Sequence, residues 1–355
     1  MERRKSTMES LGELKMKVLI TGIDGYIGTQ MSQVLMSRRH DVTGIDSGFY
    51  REGWLYNGIK LSPKVITKDT REITLKDLKG YDAIISLADL SNDPLGNQDP
   101  KNTYAINHTA IVRLAKLAKK AGIKRFIYSS SCSIYGVAKD GLVDETSEVF
   151  PQTAYAKCKL LVENDLKKLA DKNFTCTSMR NATVFGASPR MRFDLVVNNL
   201  SGIAWTEKLI KLSSDGTPWR PLVHVLDVCE AFAAVLEAPK NLVQNQIFNI
   251  GSTTGNYQVK EVAKIVGKVF PGCKVTLGKS DGDTRSYKVS FDKLKKTFPK
   301  LKIQRTVKYG AKELKDVFKK IKMSKEVYEF RGFTRLKEID FLKQTGQINN
   351  DFFWN

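Results

Sequence analysis

Tyr155 and Lys159, four apart in the run Tyr155-Ala156-Lys157-Cys158-Lys159, are the residues whose types and spacing best suit acid–base chemistry. On a helix that spacing places both side chains on one face. A free tyrosine ionises near pH ~10 and is a poor base at neutral pH. A lysine ammonium beside it favours the phenolate. Such a phenolate can take a proton from a hydroxyl while hydride leaves the same carbon for an acceptor. Ser131, which ends the run Ser129-Ser130-Ser131, would hydrogen-bond the same oxygen and orient it. A tyrosine and a lysine four apart also occur on ordinary helices, so the reading depends on whether a hydride acceptor has a place to bind.

The stretch Thr21-Gly22-Ile23-Asp24-Gly25-Tyr26-Ile27-Gly28 provides one. It follows an apolar run and opens a helical pattern. Gly22 permits a tight turn, Gly25 lets the backbone approach a pyrophosphate, and Gly28 lets helix and strand pack closely. The helix start, at Tyr26 and Ile27, then presents free N–H groups and the positive end of its dipole to phosphates. Asp46 ends the next apolar run, where a carboxylate can accept both ribose hydroxyls of an adenosine and repel a 2′-phosphate, favouring NAD over NADP. Asp46-Ser47-Gly48 is also good turn chemistry. Asp69, after a third run, reads either as an adenine contact or as a surface-loop residue.

These residues need a scaffold, and the pattern supplies one. Apolar runs at 17–21, 41–45, 64–67, 81–87 and 125–128 alternate with helical patterns at 27–38 and 106–121. This predicts an α/β fold, a Rossmann doubly wound parallel sheet with helices on both faces. A helix is expected over 154–170 and a strand over 176–185. Beyond Gly186 the pattern changes to shorter pieces: helices near 195–205, 228–237 and 259–270, and strands near 209–212, 221–225 and 246–250. The expected division is a flexible tail over 1–15 and an NAD-binding Rossmann domain over 16–186. A mainly substrate-binding C-terminal lobe follows over 187–323, interleaved with the first, and then a C-terminal extension over 324–355. The extension is charged and partly helical, with its Phe352-Phe353-Trp354 ending expected to pack back on the body.

Composition narrows the classes. The chain has 355 residues, 41% hydrophobic and 27% charged, an ordinary globular balance. The formal net charge of +20 admits nucleic-acid binding, attraction of anionic small substrates, or a lysine-rich solvated surface. Lysines are scattered and no arginine–aromatic stripe exists, so nucleic acid is not the expected partner. The five cysteines form no C-x-x-C pair and argue against a zinc site or a disulfide framework, which fits a reducing cytoplasm. No metal is expected. The N-terminal stretch has no apolar signal region, and no apolar run is long enough for a membrane span. His40, His108 and His224 suggest no catalytic role, and His224 reads as a packed or capping residue.

Taken together, TGIDGYIG, the Asp46 strand end, Asp69-Thr70-Arg71, Ser86-Leu87-Ala88, Asn107, SSSCSIYG, YAKCK and RPLVHVLDV resemble the extended short-chain dehydrogenase/reductase superfamily. Within it, the chain is most similar to the NAD-dependent epimerase/dehydratase branch acting on nucleotide sugars, over residues 16–320. The resemblance implies NAD as cofactor, bound by Gly22, Gly25, Tyr26, Ile27, Asp46, Asp69, Leu87, Ala88, Asn107, Ser129, Tyr155 and Lys159. It implies Ser131, Tyr155 and Lys159 as the catalytic set. Ser131, Thr183, Asn199, Arg220 and Arg285 would contact a nucleotide-diphosphate sugar. Many relatives carry asparagine at the position of Thr183 and aspartate at that of Pro221. An arginine that relatives place before a Gly-Asp is missing at Lys279-Ser280, before Asp281-Gly282-Asp283, and Arg285 is the substitute. Arg190 and Arg192 read either as phosphate contacts or as a salt-bridged loop. The resemblance also implies a homodimer built on the helices 107–121 and 154–170.

The dehydratases of the branch resemble one another in a Thr-Asp-Glu triplet that supplies the acid and base for elimination. Here those positions are Ser131-Cys132-Ser133. A 4,6-dehydratase therefore lacks its proton carriers. The leading expectation is a nucleotide-sugar 4-epimerase, with a 4-dehydrogenase or ketoreductase as the alternative. A non-catalytic NAD- or RNA-binding relative is the reading from a different class.

Overall fold

The computed structural model describes residues 15–91, 93–279 and 285–355. The tail expected over 1–15, apart from Lys15, and the Asp281-Gly282-Asp283 stretch lie outside them. Seven strands form the central sheet: β1 (Lys17–Thr21), β2 (Asp41–Asp46), β3 (Lys64–Thr67), β4 (Ala83–Ser86), β5 (Arg125–Ser131), β6 (Thr175–Asn181) and β7 (Gln246–Ile250). Their spatial order is β7-β6-β5-β4-β1-β2-β3. Every neighbouring pair is parallel. The inner strands β1 and β4 are near-continuous apolar runs because helices cover both faces.

Alternation along β1 divides the core in two. Val18 and Ile20 pack with Met31 and Leu35 of α1 (Tyr26–Ser37). Leu19 points to the opposite face, with Leu114 of α2 (Ile111–Lys120) and Val162 of α3 (Ala154–Leu169). A further helix, α4 (Val225–Glu237), lies against α1. From β1 the chain moves outward through β2 and β3, then returns to β4 on the other side. The carboxyl ends of β1 and β4 therefore diverge at a topological switch point, where open α/β sheets form their ligand crevice.

Two expected elements are drawn differently by the fold. The strand expected over 176–185 is two strands: β6 ends at Asn181, and Thr183–Phe185 belongs to a separate three-stranded sheet with Trp219–His224 and Asn256–Gln258. Ala182 marks the step, its N–H donating to Ile250 O at 3.0 Å. Side-chain polarity does not change where a chain passes from one sheet to the next. The helix expected over 106–121 opens as a π-helical stretch, Ala105–Ala110, before α2. β7 and α4 lie within the span expected to be mainly substrate lobe, yet they complete the main sheet and its cover, so 187–323 serves both layers.

Below the ends of β5 and β6 lies a buried polar floor. Arg180 donates to both carboxylate oxygens of Glu163 and, at 3.0 Å, to Tyr135 Oη. Glu163 also accepts from Ser130 Oγ at 2.5 Å. Removing one partner leaves a buried charge unpaired. Glu163→Ala is expected to destabilise the protein by about 3–5 kcal/mol in urea unfolding.

Candidate active site

The crevice at the switch point is a cleft of about 870 Å³, within the range of small-molecule and cofactor sites. It collects Gly22, Gly25, Tyr26, Ile27, Asp46, Asp69, Leu87, Ala88, Ser129, Ser131, Tyr155, Lys159, Thr183, Arg220 and Arg285 on its walls. Residues spread over more than 260 positions of sequence thus meet at one surface.

The glycine turn is built as its spacing requires. Gly22 has φ of +77° and lies against the backbone of Leu87 and Ala88. A Cβ on Gly28 would lie 2.2 Å from Gly22 O and 2.7 Å from Ile23 Cα, contacts that only backbone movement could relieve. Gly28→Ala is accordingly expected to cost about 1–3 kcal/mol in denaturant unfolding and to weaken dinucleotide binding. The helix it opens has Gly25 as N-cap, with no side-chain cap and no acidic residue in the first turn. Its first N–H groups are left for an anion, so the turn fits a dinucleotide diphosphate. The Tyr26 side chain is turned inward: its hydroxyl donates to Gly186 O at 2.7 Å and accepts from Asn198 Nδ2 at 3.2 Å. With its side chain so committed, Tyr26 has only its backbone left to offer the cleft.

Asp46 combines both of its readings. Its carboxylate accepts from Gly48 N at 2.8 Å and Asp24 N at 3.0 Å, and it still borders the cleft. Burial pushes its pKa up, opposed by these N–H bonds. Each oxygen has accepted one bond and keeps capacity for a ribose hydroxyl. Asp69 is committed elsewhere: it accepts from the Arg71 backbone at 2.8 Å and from Arg71 Nη2 at 2.7 Å. Asn107 is not on the cleft wall. It is fully buried in the π-helical stretch, accepting from Leu90 N at 2.8 Å and donating to Leu90 O at 3.2 Å. It positions the segment that follows β4.

At the other end of the cleft, Lys159 is 1% exposed and Tyr155 lies one helical turn before it. Lys159 Nζ lies 5.2 Å from the centroid of the Tyr155 ring. Nζ donates to the Ser129 carbonyl and, at 2.6 Å, to Asp89 Oδ2. Burial acts against the ammonium, but Asp89 and Tyr155 outweigh it and raise its pKa. Burial pushes the Asp89 carboxyl up to about 6, against the pull of Lys159. Asp89 Oδ1 is buried without a hydrogen-bond partner. The Tyr155 pKa is also raised, by burial first, with Lys159 lowering it and Asp89 and Asp93 raising it. Among the described residues the Tyr155 hydroxyl bonds to none. Ser131 Oγ accepts from Ser133 N at 3.1 Å, which leaves its O–H free to donate.

Asp89 was not anticipated. It follows Leu87-Ala88 directly, and a lone aspartate after a strand reads as an ordinary loop residue. Asn199 does not reach the cleft: it donates to Phe193 O at 2.9 Å and to Tyr328 Oη at 3.2 Å, holding the C-terminal extension. Arg192 forms an ion pair with Asp194 at 2.9 Å and bonds Ser91, so the salt-bridged reading describes it, although it also borders the cleft. Arg190 lies over the Trp54 ring at 4.5 Å. The histidines sit elsewhere; His224 caps α4 through Leu226 N.

Acid–base capacity on the wall is restricted. Among the described lining residues the carboxylates are Asp46, Asp69, Asp89, Asp93 and Asp194. Asp93 pairs with Arg285 at 2.6 Å and accepts from Thr153 Oγ1 at 2.6 Å. Asp69, Asp89 and Asp194 are paired with Arg71, Lys159 and Arg192. At the dehydratase acid positions, Cys132 is buried with its Sγ against Arg180 O, and Ser133 lines the cleft. The arrangement suits proton transfer through Tyr155 more than elimination through a free carboxylic acid.

Comparison with known proteins agrees. The model of the NAD dependent epimerase/dehydratase family matches residues 18–251. The UDP-glucose 4-epimerase of Bacillus subtilis (strain 168) is 27% identical over 290 residues, covering 72% of this chain and 82% of that protein. The UDP-glucose 4-epimerase of Thermotoga maritima superposes with a TM-score of 0.75 at 21% identity, covering 87% of this chain and 100% of its own. A dTDP-glucose 4,6-dehydratase from Streptomyces venezuelae superposes equally well, TM-score 0.75 at 20% identity over 86% and 97%. The shared fold therefore does not choose between the two reactions, and side chains must.

Proposed function

The chain belongs to the NAD-dependent epimerase/dehydratase family, and from that premise we propose that it is a nucleotide-sugar 4-epimerase with UDP-hexoses as its first candidate substrates. The observation that carries this reading is the cleft itself: Ser131, Tyr155 and Lys159 converge where every described lining carboxylate is already hydrogen-bonded or ion-paired. When bound, NAD supplies a reversible hydride acceptor at its nicotinamide ring. The glycine turn would hold its diphosphate and Asp46 its adenosine ribose. Lys159 spends two of its three protons on Asp89 and Ser129 and keeps one for a ribose hydroxyl.

Tyr155 then acts as the base. Burial keeps it a phenol by itself, and the Lys159 ammonium favours the phenolate. It would take the proton of the C4 hydroxyl, which Ser131 would orient. Tyr155 would hold that proton and give it back to the C4 oxygen, so that one phenol serves both directions of a C4 inversion. Arg220 and Arg285, both lining the cleft, are the candidate contacts for the substrate diphosphate, and Thr183 for the sugar side.

The test is product analysis by NMR after mixing the purified protein with UDP-glucose, GDP-sugars and dTDP-sugars. Interconversion of C4 epimers with no net change in reduced cofactor is expected. Accumulation of reduced cofactor identifies a dehydrogenase instead, and failure to convert any sugar overturns the enzymatic reading. A homodimer through α2 and α3 is part of the proposal. It is supported by their side-by-side packing and by Leu161, 38% exposed on α3. A single-chain mass by light scattering contradicts it. The five cysteines are unpaired, which supports a reducing, cytoplasmic setting. Among the described residues no helix is long and apolar enough to cross a membrane.

A further inference from the structure

The C-terminal extension does more than cover the body. Its helix Arg335–Gln344 begins at the cleft, where Thr334, Arg335 and Leu336 line the wall shared with Asp46, Ser47 and Tyr50. The end of the chain is fastened to the same region. Trp354 Nε1 donates to Ser47 O at 2.7 Å, next to Asp46. Arg71, next to Asp69, donates to Phe352 O at 2.9 Å and lies over the Phe353 ring at 3.6 Å. Phe352 is 1% exposed, in a core shared with Phe49 and Leu90. Thus both loops expected to hold the adenosine half of the cofactor are bound to the extension.

Within this wall, Arg335 is anomalous. It is 4% exposed, yet among the described residues its guanidinium makes no hydrogen bond and no ion pair. Its contact is the Tyr50 ring, 3.8 Å from the guanidinium carbon. Burial, and then the nearby Arg192, lower its pKa to about 10, with Asp194 and Asp46 acting in the opposite sense without bonding to it. Arg192 is already committed to Asp194 and Ser91. A buried cation with five donors and no acceptor is costly unless something anionic arrives. The open side of Arg335 is the cleft whose glycine turn accepts a diphosphate.

We propose that Arg335 is a ligand of the cofactor's diphosphate, making the C-terminal extension a structural part of the dinucleotide site. The inference rests on the NAD reading of the cleft, and it does not depend on which sugar is converted. The 2′-phosphate of NADP would offer the same chemistry, but Asp46 stands at the ribose and repels it. Binding would place the guanidinium against a phosphate, the partner its fork fits best.

The experiment is calorimetric titration of the nucleotide-free full chain and its Arg335→Gln variant with NAD, NADP, ADP, adenosine and UDP. Loss of a charge-assisted bond predicts that Arg335→Gln weakens NAD and ADP by about 10–100-fold. Adenosine and UDP should change by less than about twofold, and Arg335→Lys should recover part of the ADP affinity. The Arg335 guanidinium has the Tyr50 ring as its contact and, among the described residues, no hydrogen bond or ion pair to lose, so its removal should shift the unfolding midpoint by no more than about 2–4 °C. Unchanged ADP affinity overturns the proposal, as does an equal loss for adenosine, which would mean that the extension only shapes the adenine pocket. Loss confined to UDP reassigns the residue to substrate, and loss confined to NADP reassigns it to a 2′-phosphate. A variant that cannot fold also overturns it, because the guanidinium would then be holding the extension. Wild-type protein that binds neither NAD nor ADP refutes the cofactor reading itself, whereas sugar turnover failing with NAD bound leaves this inference standing.

Discussion

Tyr155→Phe is expected to lower kcat for C4 epimerisation by ~10²–10⁴-fold, the scale of a lost general acid–base group, while NAD affinity stays within about threefold because the ring is retained. The Tyr155 phenol lines the cleft, and among the described residues its hydroxyl has no hydrogen-bond partner. Asp46, Asp69, Asp89, Asp93 and Asp194 are bonded to neighbouring backbone or basic groups. Each of these carboxylates already has a partner, which makes it a poor substitute for the phenol. Steady-state kinetics with calorimetric titration of NAD checks both halves. A variant that loses NAD together with activity would show a packing role for the ring edge.

Disrupting the Lys159–Asp89 pair is expected to have effects of similar size and of two kinds. Lys159→Met removes the ammonium that stabilises the phenolate and strands a buried carboxylate. A fall in kcat of ~10²–10⁴-fold and a stability loss of up to about 3–5 kcal/mol should follow. Asp89→Asn isolates the titration. Burial lifts the Asp89 carboxyl from 3.8 to about 6 although Lys159 pulls it down, so the folded chain keeps a proton that the unfolded chain has released. Stability from that proton is fully present below the unfolded value and is lost as pH rises through about 6. Wild type should therefore lose on the order of 2–3 kcal/mol relative to Asp89→Asn across that window. Urea unfolding of both proteins at several pH values checks it, and a difference that does not vary with pH contradicts the raised carboxyl.

Where the physics is local, the sequence was legible. β1, β3 and β7 were read with their observed ends because each is an apolar run bounded by turn residues. The strand–turn–helix setting of the glycine turn is legible because its glycines answer to backbone contacts within a few residues or beside the adjacent strand. What stayed hidden depends on distant partners. Asp89 becomes informative only when α3 brings Lys159 to it, and Asn199 reads as a cleft residue until Tyr328 claims it. The split at Ala182 is a choice between two sheets, not a change of polarity. The strand pair Val137–Val143 and Ser286–Val289 joins segments far apart in sequence and went unread. The helix Val307–Lys320 did carry a signal: Val307, Gly310, Ala311, Leu314 and Phe318 are buried at helical spacing. Arg335 had none, since a single arginine in a charged tail looks solvated.

The central claim is that hydride leaves C4 for a cofactor beside Tyr155 and returns to the same carbon. Its most direct test is UDP-glucose deuterated at C4, incubated with the NAD-loaded protein in ordinary water and read by NMR. Retention of deuterium at C4 in the epimer, with no exchange into solvent, is the predicted result. Epimer formed with the label washed out, or with solvent hydrogen at C4, would contradict it.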